Sequence, residues 1–269
     1  MSRAASPSAD GTVLEVEGLT KHFRGVTAVE KVSLRATAGE ILGIIGPNGA
    51  GKTTLLNLIT GFQQQDTGRV RLKGEDVTKL RAHAIARKGL TRTFQAPYTF
   101  EDETVLENVA RALYPHARPS VLSQLRSGRH LGKGSQDIRD RAEALVAEVG
   151  LPSGLTTARA NELPYGHRKL LTVAMALAAD PAVLCLDEPA AGLSAAEKEK
   201  VFAMVQSLRA RGVAILIVEH DMSLIMRLCD RIVVLDHGSR IAEGTPDQVR
   251  NDPAVLAAYL GGSHGAPAA

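Results

Sequence analysis

An α/β architecture, a mostly parallel sheet interrupted by a helical segment, is what this 269-residue sequence predicts. Three observations lead there. Apolar runs at 182–187, 213–218 and 231–235 have the length and composition of strands buried on both faces. A glycine-rich stretch, Gly46-Pro47-Asn48-Gly49-Ala50-Gly51-Lys52-Thr53, stands between an apolar, β-prone segment at 40–45 and a helix-like one at 54–59 that Gly61 stops. From Tyr98 to about Arg168 the periodicity turns helical, and it returns to the α/β rhythm after Leu170.

The elements follow in chain order. Segments 13–17 and 29–35 alternate as strands of an antiparallel edge, and 69–73 adds a short strand after the turn-like Gln65-Asp66-Thr67-Gly68. In the helical stretch, Ile138, Ala142, Leu145, Val146 and Val149 share one face, opened by Asp137 and closed by Gly150. Between the first two buried strands a helix opens on a capping box, Ser194 with Glu197, and ends at Gly212. The division expected is a tail at 1–11, a first part of the core at 12–95, a helical subdomain at 96–168, the second part of the core at 169–260 and a tail at 261–269.

Composition narrows the classes. A hydrophobic fraction of 44% supports a sizeable core, while 3% aromatics and no Trp argue against base-stacking platforms. A formal net charge of +3 implies no polyanionic partner, so nucleic acid is not an expected ligand. Cys185 and Cys229 lie in apolar or helical contexts without metal-ligand spacing and read as reduced core residues of a cytosolic protein. No apolar run approaches the roughly 18–20 residues of a membrane span, and the Ser/Ala/Pro-rich start lacks a signal peptide's apolar stretch. A membrane role is therefore expected only through a partner chain.

Strand, glycine loop and helix together make a phosphate-binding loop. Gly46, Gly49 and Gly51 let successive N–H groups turn toward phosphate oxygens, and the helix N-terminus adds partial positive charge. Lys52 can reach the β- and γ-phosphates, and the hydroxyl of Thr53 can ligate Mg²⁺. Pro47, Asn48, Ala50 and Thr54 complete the loop's reach. The expected ligand is a nucleoside triphosphate with Mg²⁺. The apolar strand at 183–187 ends in Asp187 and Glu188. Near such a loop Asp187 can hold Mg²⁺ through its waters, and Glu188 can orient or deprotonate an attacking water.

Reading outward from these motifs, the chain resembles the ATP-binding subunit of an ABC transporter. Thr93-Phe94-Gln95 stands where that family has its Q-loop, and Leu163-Pro164-Tyr165-Gly166-His167 stands in the place of its signature. Ala191-Gly192-Leu193-Ser194 matches the D-loop, and Val218-Glu219-His220-Asp221 carries the switch histidine. Phe23 falls where an aromatic residue stacks on adenine. The likeness implies a P-loop NTPase core of RecA-like type with an antiparallel β-subdomain and an inserted α-helical subdomain. It implies ATP as cofactor, with Glu188, His220 and Lys52 catalytic, and with Gln95 joining Thr53 and Asp187 around Mg²⁺. It places Tyr165, Gly166 and His167 against the nucleotide of a second ATP-binding subunit, a homologue or a second copy.

Finer features resemble the hydrophobic amino acid uptake branch. They are Pro164-Tyr165-Gly166, Arg92-Thr93-Phe94-Gln95, Ala190-Ala191-Gly192-Leu193, Glu219-His220-Asp221-Met222 and the ending Asp252-Pro253 through Tyr259-Leu260-Gly261. This is the pattern of the larger ATP-binding subunit of branched-chain amino acid importers. It implies two integral membrane permeases, a solute-binding protein acting through them, and a peripheral position on the cytoplasmic face of the membrane. The alternatives are the ATPase of a lipopolysaccharide-type exporter and a soluble ABC protein outside transport. Pro164 and His167 depart from the family's usual serine and glutamine, which implies a less active site wherever this signature completes one. Arg118, Arg126, Arg129 and Lys133 form a basic stretch without acids, read as a solvated segment or, alternatively, as a contact with anionic lipid headgroups.

Overall fold

The structure, a computed structural model, describes residues 11–114 and 131–261. Both expected tails, apart from Gly11 and Gly261, and the arginines of the basic stretch lie outside the described residues.

Two sheets form the frame. An antiparallel sheet has the order β2-β1-β4-β5, from β1 (Thr12–Phe23), β2 (Val26–Thr37), β4 (Thr67–Leu72) and β5 (Glu75–Asp76). The second sheet, six-stranded, runs β10-β9-β3-β8-β7-β6. Its members are β3 (Ile41–Ile45), β6 (Leu90–Arg92), β7 (Val183–Asp187), β8 (Ala214–Val218), β9 (Arg231–Asp236) and β10 (Ser239–Gly244). All neighbours in it pair in parallel except β9 with β10.

The strands split their residues by parity. Ile41, Ile45, Leu184, Leu186, Ile215, Ile217, Ile232 and Val234 join one core. Leu42, Ile44, Val183, Cys185, Leu216, Val218, Val233 and Leu235 join the other, beneath the antiparallel sheet. A parallel sheet covered on both faces reads in sequence as unbroken apolar runs, which is how these strands were legible.

The sequence expected shorter strands at the antiparallel edge, 13–17 and 29–35. The first strand continues through a bulge: Gly18 has φ +56°, its N–H donates to the Ser33 hydroxyl at 2.8 Å, and pairing with β2 shifts between Val16 and Leu19. The helix following the glycine loop, α1 (Lys52–Ile59), begins two residues before the expected 54. A short helix, α2 (Ala82–Arg87), precedes β6.

The helical stretch comprises α3 (Val105–Leu113), α4 (Leu131–Glu148) and α5 (Tyr165–Leu177). The capping box of Thr104 and Glu107 opens α3. The apolar face read for α4 packs inward, with Ala142, Leu145, Val146 and Val149 buried, and Gly150 at φ +76° ends it as expected. Its start is corrected from Asp137 to Leu131: the helix runs through Gly132 and Gly134, whose low helix propensity is a weak constraint.

Farther on lie α6 (Ala195–Ala210), α7 (Met222–Leu228), α8 (Pro246–Arg250) and α9 (Pro253–Gly261). The expected capping box of α6 is present: Ser194 Oγ accepts from Glu197 N–H, and the Glu197 carboxylate accepts from Ser194 N–H at 2.9 Å. Both cysteines are buried and unpaired, and burial pushes their thiols up to about 12, which removes thiolate reactivity at neutral pH. Among the described residues no helix is long and apolar enough to cross a membrane.

Candidate active site at the carboxyl ends of the parallel strands

Parallel pairing puts the ends of β3, β6, β7 and β8 side by side, and each is followed by a segment carrying a predicted site residue. Ligands in open parallel sheets bind at this edge.

The glycine loop leaves β3 at Gly46, where packing forbids any side chain. A Cβ there would lie 2.1 Å from the Leu235 carbonyl, and one on Gly51 (φ +97°) would lie 2.3 Å from the Ala28 carbonyl. Gly49, by contrast, faces open space on an exposed part of the loop. The loop is thus braced on its flanks by β9 and β2 and left free where an anion would enter. Lys52 is buried and donates to the carbonyls of Gly46 and Pro47, both at 2.8 Å. Burial lowers its pKa, while Glu188 and Asp187 act to raise it. Thr53 is exposed on the first turn of α1, Thr54 half-buried, Ala50 buried, and Asn48 exposed.

Three of the predicted residues meet on one carboxylate. Glu188 accepts from Gln95 Nε2 at 2.7 Å through one oxygen and lies 2.8 Å from His220 Nε2 through the other. They come from three strand ends and share no local sequence signal. Glu188 itself has φ +50°, the left-handed region that a residue with a Cβ seldom occupies. Its N–H donates to the Val218 carbonyl at 2.8 Å, so the turn after β7 is tied to β8.

Asp187 is 5% exposed and bonded through Oδ2 to Arg92 at 2.6 Å. Arg92 reaches Asn57 of α1 with its other terminal nitrogen at 2.5 Å, and its guanidinium lies 5.1 Å from the Phe94 ring centroid. Sequence reasoning gave Arg92 and Asn57 no role. Arg92 stood in the sequence only as part of the pattern Arg92-Thr93-Phe94-Gln95, where it closes β6 three residues before Gln95, and Asn57 had no signal.

Asp221 follows His220 and caps α7, accepting from Ser223 and Leu224 N–H and pairing with Lys198 at 2.6 Å. The Lys198 bond, then Ser223, hold its carboxyl well below the usual range. A depressed carboxylate pKa contributes stability that is complete above the unfolded value near 4 and lost as pH falls through the folded one. Asp221→Asn is therefore expected to lower Tm at pH 7, with the gap to the wild type closing as pH falls below about 4. Melting curves between pH 7 and 3 measure this; a gap independent of pH would contradict it.

The signature residues surround the start of α5. Pro164 occupies the cap position, Tyr165 is 41% exposed with its hydroxyl 3.5 Å from the Gln95 carbonyl, and Gly166 is buried against Glu197. His167 Nδ1 is buried without a hydrogen-bond partner among the described residues. Phe23 stands half-exposed at the β1–β2 hairpin, 5.6 Å from Lys21 Nζ; β2 passes the glycine loop at Ala28.

Residues 29–191 match the family described as "ABC transporter". The chain belongs to this family. It is accordingly an ABC-type ATPase, and the matched segment contains the glycine loop, residues 163–167 and Asp187, in that order. Residues 239–265 match a second family, "Branched-chain amino acid ATP-binding cassette transporter". The chain is 40% identical over 250 residues to the high-affinity branched-chain amino acid transport ATP-binding protein BraF of Pseudomonas aeruginosa, covering 93% of this chain and 98% of that one. It is 38% identical over 250 residues, with the same coverage, to the corresponding protein LivG of Escherichia coli K12. Among solved structures it resembles an ATP-binding cassette of an ABC transporter in its ADP conformation, with TM-score 0.80, 33% identity, and coverage of 93% and 99%.

The residues present fit the ligand that this ABC cassette implies: Gly49 leaves room over the loop, Thr53 is exposed on the first turn of α1, and Arg92 engages Asp187 through Oδ2.

Proposed function

We propose that this chain is the ATP-hydrolysing subunit of an importer for branched-chain or other hydrophobic amino acids, working in a nucleotide-sandwich pair with a homologue or a second copy. The observation that carries the reading is the convergence of Gln95 and His220 on Glu188 beside the braced glycine loop. The branched-chain family match over the C-terminal segment and the BraF and LivG relatives support the solute class.

The loop amides, Lys52 and the first turn of α1 would hold the triphosphate; Thr53, Asp187 and Gln95 would hold Mg²⁺, which supplies charge neutralisation of the phosphates. Lys52 would exchange its two carbonyl bonds for phosphate oxygens. Glu188 acts as the base toward the attacking water, His220 steadies its carboxylate, and Gln95 reports the phosphate state to the helical part. Tyr165, Gly166 and His167 complete the opposite subunit's site, and Phe23 flanks adenine.

A groove of about 980 Å³ opens between the segment after α1, α2, β6 and α5, with Phe62, Phe94 and Tyr98 stacked edge to face at 5.0 and 5.6 Å. This surface suits a short helix of a membrane permease. Phe94 adjoins both Arg92 and Gln95, so displacement in the groove has a short route to the site. The working position is then the cytoplasmic face of the membrane.

Reconstitution with two permeases and a binding protein in liposomes tests the whole reading. Uptake of labelled leucine driven by enclosed or added ATP is expected, and hydrolysis per subunit should rise with subunit concentration. Export in place of uptake, or full hydrolysis by isolated dilute subunits, would overturn it.

A further inference from the structure

Lys169 lies on α5 just past the signature, 5% exposed. Its ammonium donates to two main-chain carbonyls, Glu188 at 2.6 Å and Ala191 at 2.8 Å, and stands 5.3 Å from the Tyr165 ring centroid. Burial lowers its pKa, while Glu219, Glu188 and Asp187 oppose the shift. Burying an ammonium is costly unless it is hydrogen-bonded and near opposite charge. Here the two carbonyls and the neighbouring carboxylates offset that cost, which ties the side chain to the segment that supplies the carbonyls.

That segment is the turn after β7. Glu219, 3% exposed, holds the same turn by accepting from Ala190 N–H at 2.6 Å. Residues 188–191 are therefore gripped at three points, by a cation on the carbonyls of Glu188 and Ala191 and a carboxylate on the amide of Ala190. Glu188, at φ +50°, sits at the start of this turn. Strain of that kind persists only where the surroundings over-determine it.

We propose that Lys169 is a positioning residue for hydrolysis: its two donated bonds fix the main chain at Glu188 so that the carboxylate faces Gln95 and His220. Lys169 touches no reacting atom, and its effect runs through the backbone. Because it rides on the signature helix, the base is fastened to α5 as well as to its own strand. The inference rests on the reading of Glu188 as base.

The test uses the full chain in the assembled transporter. Lys169→Met keeps length and removes both donors; Lys169→Gln keeps an amide group with two donors and removes the charge. Lys169→Met is expected to lower kcat about 10²-fold, the scale of a small misplacement of a catalytic group. Affinity for a fluorescent ATP analogue should stay within about twofold, and Lys169→Gln should recover most of the turnover, since the donors and not the charge do the positioning. In a Glu188→Gln background Lys169→Met should add no further loss, because residues acting as one unit are non-additive. Should the Met variant fail to fold, Lys169→Ala serves in the same comparison.

Turnover close to wild type in the Met or Ala variant, no recovery with Gln, or losses that multiply with Glu188→Gln would each overturn the inference. The two readings fail differently. Glu188→Gln with normal hydrolysis removes the base itself. Lys169→Met with normal hydrolysis, beside an inactive Glu188→Gln, removes only the role of Lys169.

Discussion

Glu188→Gln is expected to bind ATP with near-normal affinity and to lose hydrolysis by about 10²–10⁴-fold, the contribution of a positioned general base. The amide can still accept the hydrogen bond that Gln95 donates, so the cluster with His220 keeps most of its shape. What disappears is an oxygen able to take a proton from water. The loop contacts of Lys52 are untouched, so binding and chemistry separate cleanly. Single-turnover hydrolysis, measured beside equilibrium binding of a fluorescent ATP analogue, reads both quantities. Turnover within a few-fold of wild type would move the base elsewhere.

The second large effect is on stability. Arg92 and Asp187 are 3% and 5% exposed at the side chain and form a charge-assisted bond of 2.6 Å, with Asn57 taking the second arm of the guanidinium at 2.5 Å. Removing one member of a buried ion pair strands the other, at a cost of about 3–5 kcal/mol. Arg92→Met should therefore lower the unfolding free energy by roughly that amount, about 10 °C in Tm for a chain of this size. Arg92→Met combined with Asp187→Asn should be less damaging than the sum of the two singles, because the stranded charge is gone. Denaturant unfolding of the four proteins decides; additive losses would mean that the pair carries no coupling.

The pair also shows why part of the site was hidden in the sequence. Asp187 was legible because an apolar strand that ends in acids, downstream of a glycine loop, has few other uses. Arg92 carries no such mark. It is paired to Asp187 because β6 lies beside β7 in register, with Arg92 opposite Cys185. Lys169 had no signal in the sequence, and Glu219 stood there only as a neighbour of His220; both are buried by the way α5 and β8 meet the turn after β7.

Local chemistry was readable because its parts are neighbours in the chain. The glycine loop needs its own amides, a capping box needs residues three apart, and a doubly covered strand needs only an apolar run. From these the sequence alone determined the α/β class, the phosphate-binding loop, the acidic strand end and, by likeness, the family. Tertiary structure alone decided which groups share an oxygen: that Glu188 holds Gln95 and His220 together, that Arg92 neutralises Asp187, and that a buried lysine fastens the turn between them. The reason is geometric. Parallel strands distant in sequence bring their ends to one edge, and only the register between them sets which side chains come within bonding distance there.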